Sequence, residues 1–349
     1  MTNTRGGPAS GGIAEPLPGA GQRRGPRRKR MLRRVYRRWP GLRRFIRRRK
    51  DALTYHLARL AIWIPRQLAL ERALRLADRL GDLIYLALPG TRRLALAHLG
   101  IAFGDQMSER EKRRIVRACL RNWARCFVEM AKMEDIRARF DEYVETIGWE
   151  HLESVRGQAA IIITGHIGNW ELMAAYVARA GVPVAAIARR LNEPRLNQML
   201  VDFRLANGVQ PILRESPTAS RKIVSFFRHG GVLAFLIDQD ILTPSVSVPF
   251  FGRLARTPVA AALFAVRRNL PVVPAFAQRR PGGGHRFIFL PVLYPLAGGD
   301  RHQAIVELTR QLSQLLEEHI RANPTEWVWW HRRWRRPPNA DLDLDAAIG

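Results

Sequence analysis

Short apolar, β-branched runs alternating with amphipathic stretches predict an α/β protein, with a mixed, largely parallel central sheet flanked by helices. Two further observations extend the prediction. A capping box, Ser108-Glu109-Arg110-Glu111, opens a long helix before the alternation begins, and residues 52–89 are apolar enough to form a helical, membrane-associated N-terminal region. With 349 residues at 47% hydrophobic content, the chain can bury one large core or two smaller ones. The expected order is a basic extension over 1–50 (disordered or interfacial), a helical region over 51–135, an α/β domain over 136–336 and a tail over 337–349.

Residues 1–50 hold 17 Arg and Lys against the single Glu15, a net +16 out of +28 for the chain. Their Gly/Pro-rich first half predicts disorder. Residues 27–50 form a basic run with Leu32, Val35, Tyr36, Trp39, Leu42, Phe45 and Ile46 spaced through it, which suits an anionic surface, whether lipid headgroups or nucleic acid phosphates. The interleaved aromatics favour a membrane interface. No uncharged apolar stretch reaches the roughly 18 residues of a spanning helix, and Arg59, Arg66, Glu71 and Arg72 interrupt residues 52–89.

The capped helix is expected to run to about Lys132, burying Ile115, Leu120, Trp123, Phe127 and Met130. It carries both cysteines, Cys119 and Cys126, on one face about 10 Å apart along its axis, too far for a disulfide. That spacing fits a reducing, cytoplasmic setting. Strands are then predicted at 143–147, 159–164, 184–188, 209–213, 232–237, 272–277 and 286–293, and helices at 170–180, 194–206, 219–228, 258–268 and 301–321. Pro281-Gly282-Gly283-Gly284 is a turn between two antiparallel edge strands.

The stretch Thr164-Gly165-His166-Ile167-Gly168-Asn169-Trp170-Glu171 places a histidine five positions before a carboxylate where a buried strand opens into a helix. Spacing alone says little, since about one such match is expected by chance and the chain has two. The second, His302 with Glu307, lies within one helix, where positions five apart point about 140° apart, so His302 is expected to be a solvated helix residue. His166 instead sits on a loop with Asn169 as N-cap, so the chain can fold back and bring imidazole and carboxylate together. Asp238-Gln239-Asp240 follows another strand and shares the carboxyl edge of the sheet, where ligands bind in such folds. For Asp238 taken alone, an ordinary strand-end cap is an equal reading.

From Arg92 to Arg336 the chain resembles the bacterial lipid A biosynthesis acyltransferases of the lysophospholipid acyltransferase superfamily. The resemblance rests on ordered blocks: Arg92-Arg93 with Ala97-His98-Leu99 (His98 standing where asparagine is usual), Gly165-His166 through Glu171, Arg189 with Asn192 and Pro194, Arg204 and Gly208, Asp238-Gln239-Asp240, Val248-Pro249-Phe250-Phe251-Gly252, and the closing Trp327-Val328-Trp329-Trp330-His331-Arg332-Arg333. It implies transfer of a fatty acyl chain from a thioester, on acyl carrier protein or coenzyme A, to a hydroxyl of an anionic lipid acceptor, a lipid A precursor first among them, at the cytoplasmic face of the inner membrane. His166 is then the general base and Glu171 the acid that fixes its tautomer. Arg189, Arg204, Asp238, Gln239 and Asn169 are candidates for substrate or oxyanion binding, with Asp238 ordering the site. Trp327, Trp329, Trp330, Arg332 and Arg333 read as an aromatic-basic belt at headgroup depth. No metal, cofactor or nucleic acid is expected, and the protein is expected to be a monomer. The alternatives are a nucleic-acid-binding protein that uses the Arg-rich N-terminus, and a thioester or lipid hydrolase with the same base.

Overall fold

A computed structural model describes residues 40–296 and 298–336. The expectations for the first 39 residues and for the tail 337–349 lie outside the described residues. Contacts divide the chain at Thr54/Tyr55. Helix α1 (Pro40–Arg66) crosses that point and is followed by α2 (Leu70–Ala87), α3 (Pro89–Phe103) and the capped α4 (Glu109–Ala131). The capping box forms as its residues require: the Ser108 hydroxyl accepts from the Glu111 N–H while the Glu111 carboxylate accepts from the Ser108 N–H. Among the described residues no helix is long and apolar enough to cross a membrane.

Seven strands form the main sheet: β1 (Val144–Ile147), β2 (Ala160–Thr164), β3 (Val184–Ala188), β4 (Val209–Leu213), β5 (Val232–Leu236), β8 (Val272–Arg279) and β9 (His285–Phe289). Their spatial order is β1-β9-β8-β2-β5-β3-β4, and every pairing is parallel except β8 with β9. The mixed, largely parallel sheet is thus as predicted. The glycine turn does join antiparallel strands, but they are internal: β1 adds outside β9 and β2 lies beside β8. Period-two alternation along β2 builds both cores. Ile161 and Ile163 pack with Leu99, Phe235, Leu308 and Leu312 on one face, whereas Ala160 and Ile162 pack with Leu172, Ala234 and Phe287 on the other.

The crossovers run through α8 (Trp170–Arg179), α9 (Pro194–Ala206) and α10 (Ala219–Arg228), and α11 (Ala260–Arg268) and α12 (Arg301–Ala322) complete the helical cover. The four-residue stretch Phe140–Tyr143 and the five-residue helices Met133–Arg137 and Trp149–Glu153 were too short to show a period. A separate hairpin, β6 (Ser245–Phe250) with β7 (Arg253–Pro258), was not predicted. Its two-residue turn, Phe251-Gly252, puts both residues at positive φ (52° and 71°), as such turns demand. Phe251 is held there by its N–H donating to Glu317 at 2.6 Å and by Arg321 stacked over its ring at 4.5 Å. His302 is exposed on α12, as expected of a decoy.

Candidate active site

The register of β2 against β5 pairs Ile163 with Phe235 and Thr164 with Leu236. Both strands end there, and continuing the same offset by two residues sets His166 opposite Asp238. The contact follows: the His166 N–H donates to Asp238 Oδ2 at 2.8 Å, and Nδ1 lies 2.8 Å from Oδ1. The Trp327 indole N–H donates to the same Oδ2 at 2.8 Å. Asp238 is fully buried, and burial alone would raise its pKa. The charge and hydrogen bond of His166, with His331 beyond, instead hold the carboxyl well below the usual carboxylate range. An ionised carboxylate at Nδ1 keeps the ring proton on that atom, which leaves Nε2 to accept one.

The loop between β2 and α8 owes its path to its glycines. Gly168 sits at φ 54°, and a Cβ there would meet the Ala277 carbonyl oxygen at 2.3 Å, closer than any side chain tolerates. Its N–H donates to the Glu326 carbonyl, and Ile167 bridges to Trp327, so the closing segment lies over the loop. Asn169 caps α8, its side chain accepting from the Leu172 N–H, while its amide donates to Glu129 at 2.9 Å. It therefore has a supporting role and is not aimed at substrate.

Glu171 corrects the main expectation drawn from the motif. It does not orient His166. It lies in the first turn of α8 and forms a bidentate pair with Arg204 of α9, at 2.5 and 3.0 Å. A strand-to-strand neighbour supplies the orienting carboxylate, a relation that spacing within one segment cannot express. Arg204 is correspondingly occupied, whereas Arg189, at the end of β3, is exposed and remains open to a ligand.

The closing tryptophan-arginine segment is corrected as well. Trp327, Trp329 and Arg333 are buried, so they are no membrane belt, and only the half-buried Trp330 and the exposed Arg332 stay at the surface. Trp329 donates its indole N–H to the Pro324 carbonyl at 2.6 Å and its carbonyl meets His98 Nδ1 at 2.7 Å. His98 is thus a satisfied core residue. Arg333 donates to the Arg256 carbonyl and, at 2.6 Å, to the Thr257 hydroxyl. A belt and an inward strap share one composition; only the contacts of Trp327, Trp329, His331 and Arg333 separate them.

His331 of the closing segment also lies at the site. Its ring lies 4.8 Å from that of His166, edge to face, with the Gln239 amide nitrogen between them, 3.2 Å from His166 Nε2 and 3.0 Å from His331 Nδ1. Burial, with His166 next in effect, pushes the His331 imidazole down to about 4, so it is neutral at pH 7. The ligand atoms of His166, Asp238 and His331 fall within 4.8 Å of one another. Ligands of a tetrahedral ion at ~2.1 Å bond lengths stand roughly 3.4 Å apart, and His166 Nδ1 is already bound to Asp238, so the group fits proton handling better than a metal.

A second buried constellation supports the first. Glu129 of α4 is fully buried and accepts from Arg279 (2.5 and 3.1 Å), Tyr143 (2.9 Å) and Asn169, with His285 Nε2 at 3.0 Å. Burial opposes its charge, yet Arg279 and then His285 hold its carboxyl well below the usual range. Helix α4, strands β8 and β9 and the His166 loop are tied through this one side chain.

Fold and site together define an α/β protein with a histidine and its carboxylate partner at the carboxyl edge of a largely parallel sheet. The chain belongs to the bacterial lipid A biosynthesis acyltransferase family, whose model matches residues 46–336. It is 25% identical over 191 residues to a phosphatidylinositol mannoside acyltransferase of Mycobacterium tuberculosis, a match covering 54% of this chain and 58% of that protein. The match therefore spans less than two thirds of that relative's length. The protein of the same name from Mycolicibacterium smegmatis is 23% identical over 225 residues, 63% of this chain and 72% of that one. Among solved structures, the 1-acyl-sn-glycerophosphate acyltransferase PlsC from Thermotoga maritima aligns with a TM-score of 0.35 and 14% identity, over 70% of this chain and 97% of that chain.

Proposed function

We propose that this chain is an O-acyltransferase that moves a fatty acyl group from an acyl thioester to a hydroxyl of a sugar-bearing lipid at a membrane surface. The observation that carries the reading is the His166–Asp238 pair at 2.8 Å, a base with its proton fixed on the far nitrogen, in a chain of an acyltransferase family. An alcohol is a weak nucleophile at neutral pH. His166 Nε2 takes its proton as the oxygen attacks the thioester carbonyl, and Asp238 stabilises the imidazolium that forms. Collapse of the tetrahedral intermediate expels the thiolate, which takes the proton back from His166. The family is named for lipid A and the mycobacterial relatives for phosphatidylinositol mannoside; a glycolipid acceptor is the class common to both names.

Peripheral attachment to the cytoplasmic face of the inner membrane belongs to the same proposal. Leu57, Leu60 and Ile64 are exposed at helical spacing on α1, and Leu76, Leu80 and Leu83 on α2. Such leucine stripes, unpartnered in water, suit the headgroup-acyl boundary. Flotation with anionic phospholipid vesicles is expected to carry the full chain upward, and Leu76→Glu/Leu80→Glu/Leu83→Glu to leave it at the bottom; equal flotation of both proteins would remove α2 as an attachment face.

The activity itself is tested with the purified full chain, an acyl thioester and vesicles with or without a glycolipid acceptor. Acylated lipid is expected only with the acceptor, with little free fatty acid in its absence. Rapid fatty acid release without acceptor would make the protein a hydrolase.

A further inference from the structure

When a thioester carbonyl is attacked its oxygen becomes an anion, and one donor fixed beside that oxygen is worth about 10²–10³-fold in rate. Neither of the arginines suited to the task stands at the base: Arg204 is clamped by Glu171, and Arg189 is exposed on the loop after β3. His331 and Gln239 do. The His331 ring stands at 89° to that of His166 with 4.8 Å between centroids, and a ring nitrogen of one lies within 4.8 Å of a ring nitrogen of the other. A base takes a proton across roughly 2.6–3.2 Å, and an oxyanion donor acts across roughly 2.7–3.1 Å. Two such reaches exceed the gap, so His166 and His331 can hold the attacking oxygen and the carbonyl oxygen of one tetrahedral carbon together.

The Gln239 amide nitrogen lies 3.2 and 3.3 Å from the two nitrogens of His166 and 3.0 and 3.2 Å from those of His331. An atom that close to both nitrogens sits over the ring face, since in the ring plane it would collide with the carbon between them. The in-plane positions of His331 are therefore open to a ligand, and a ring face is so weak an acceptor that the amide N–H groups are available as well. Burial, then the charge of His166, and His98 beyond Asp238 keep His331 neutral at pH 7, and Asp238, the one neighbour that favours its protonation, makes no hydrogen bond to it. A neutral imidazole still donates one N–H. It does so without setting a second cation against the imidazolium that His166 becomes. Lacking a carboxylate to fix its tautomer, His331 is not a second copy of the base.

The closing segment holds His331 from both sides. Its N–H donates to the Val328 carbonyl at 3.2 Å and its carbonyl accepts from the Arg333 N–H at 2.8 Å, while the buried Arg333 side chain is anchored on the Arg256 carbonyl and the Thr257 hydroxyl. A donor fixed in this way needs no reorganisation at the moment of reaction. We propose that His331 is a catalytic residue that donates its ring N–H, alongside the Gln239 amide, to the oxyanion of the tetrahedral intermediate. The proposal rests on the acyl-thioester reading of the site. As the acceptor oxygen bonds to the carbonyl carbon and its proton passes to His166 Nε2, the carbonyl π pair moves onto oxygen, where the two donors meet it. The pair then returns, the C–S bond breaks, and the thiolate takes the proton from His166. His331 keeps its own proton throughout.

The test uses the purified full chain, vesicles carrying a glycolipid acceptor, and an acyl thioester labelled with carbon-13 at the carbonyl, presented on coenzyme A and on acyl carrier protein. His331→Ala is expected to lower kcat by about 10²–10³-fold while KM for the donor stays within about threefold. His331→Gln and His331→Asn place amide nitrogens near the Nε2 and Nδ1 positions, and the better of the two is expected to recover about tenfold or more of that loss. Infrared spectra of the thioester bound without acceptor give the readout that a packing role would not move: the wild type draws the carbonyl stretch to lower frequency than in solution, and His331→Ala returns it. A thermal melt accompanies each variant; should His331→Ala melt early, the two amide variants and the carbonyl band carry the decision. A kcat for His331→Ala within about threefold of the wild type, an equal loss in all three variants, or a carbonyl band that the wild type leaves unmoved would each overturn the proposal. If the wild type acylates no acceptor, the acyltransferase reading fails, while the carbonyl band, which needs no acceptor, still decides whether His331 polarises a bound thioester.

Discussion

Asp238→Asn is expected to lower the rate of acyl transfer by about 10³–10⁴-fold without unfolding the protein, a loss of the size seen when the carboxylate behind a catalytic histidine is removed. The reason lies in which atoms it touches. Oδ2 accepts two N–H groups, from the His166 backbone and the Trp327 indole, while Oδ1 faces His166 Nδ1. In asparagine one of these positions becomes an NH₂. Two fixed donors require the amide oxygen at Oδ2, so the NH₂ must face Nδ1. The ring proton then moves to Nε2, and the nitrogen that should accept the substrate proton is blocked. His166→Ala removes the base altogether and is expected to cost about 10²–10⁴-fold, and the double variant should be no worse than the more damaging single one, because the two residues act as a unit. The measurement is kcat at saturating donor, alongside a thermal melt to show that the fold persists. Glu171→Gln is the control: it loosens the clamp on Arg204 and is expected to lower thermal stability more than kcat. The reverse ranking, with Glu171→Gln crippled and Asp238→Asn mild, would return the orienting role to Glu171.

That prediction also marks where the sequence stopped being readable. The strands at 184–188 and 209–213 and the helices at 194–206 and 219–228 could be drawn to the residue, because apolar period and Gly/Pro stops agreed there. The β6–β7 hairpin could not: Pro249, Arg253 and Arg256 disrupt its alternation, and a phenylalanine at positive φ is not a turn signal. His166 was legible as a loop residue after a buried strand. Its partner was not, because the local motif offers Glu171 while the parallel register of β2 and β5 offers Asp238. Strand order is a tertiary fact; with β5 known to lie beside β2, the constant offset of 72 between paired residues would have named Asp238 directly. Glu129 and His331 were illegible for the same reason, since their contacts lie across elements far apart in the chain.

Glu129→Ala is expected to destabilise the protein by about 3–5 kcal/mol, the usual consequence of removing one partner of a buried ion pair. Arg279 would be left almost wholly buried with its guanidinium uncompensated, and Tyr143, Asn169 and His285 would each lose their shared acceptor. For a chain of this size such a loss lowers Tm by roughly 5–8 °C, readable by calorimetry or by urea unfolding at constant slope. A buried pair is not itself a large net stabiliser, because desolvation of both charges offsets their attraction. Glu129→Met/Arg279→Met should therefore recover much of the loss, and the double-mutant cycle should give strong coupling. Activity is expected to part from stability in this series. Even when the apolar pair restores Tm, Asn169 has lost the carboxylate that holds its amide, and Asn169 is both the cap of α8 and the neighbour of Gly168 in the His166 loop. A stable double variant with depressed kcat would show that Glu129 is retained for positioning; one with full activity would reduce it to a structural tie between α4 and the sheet.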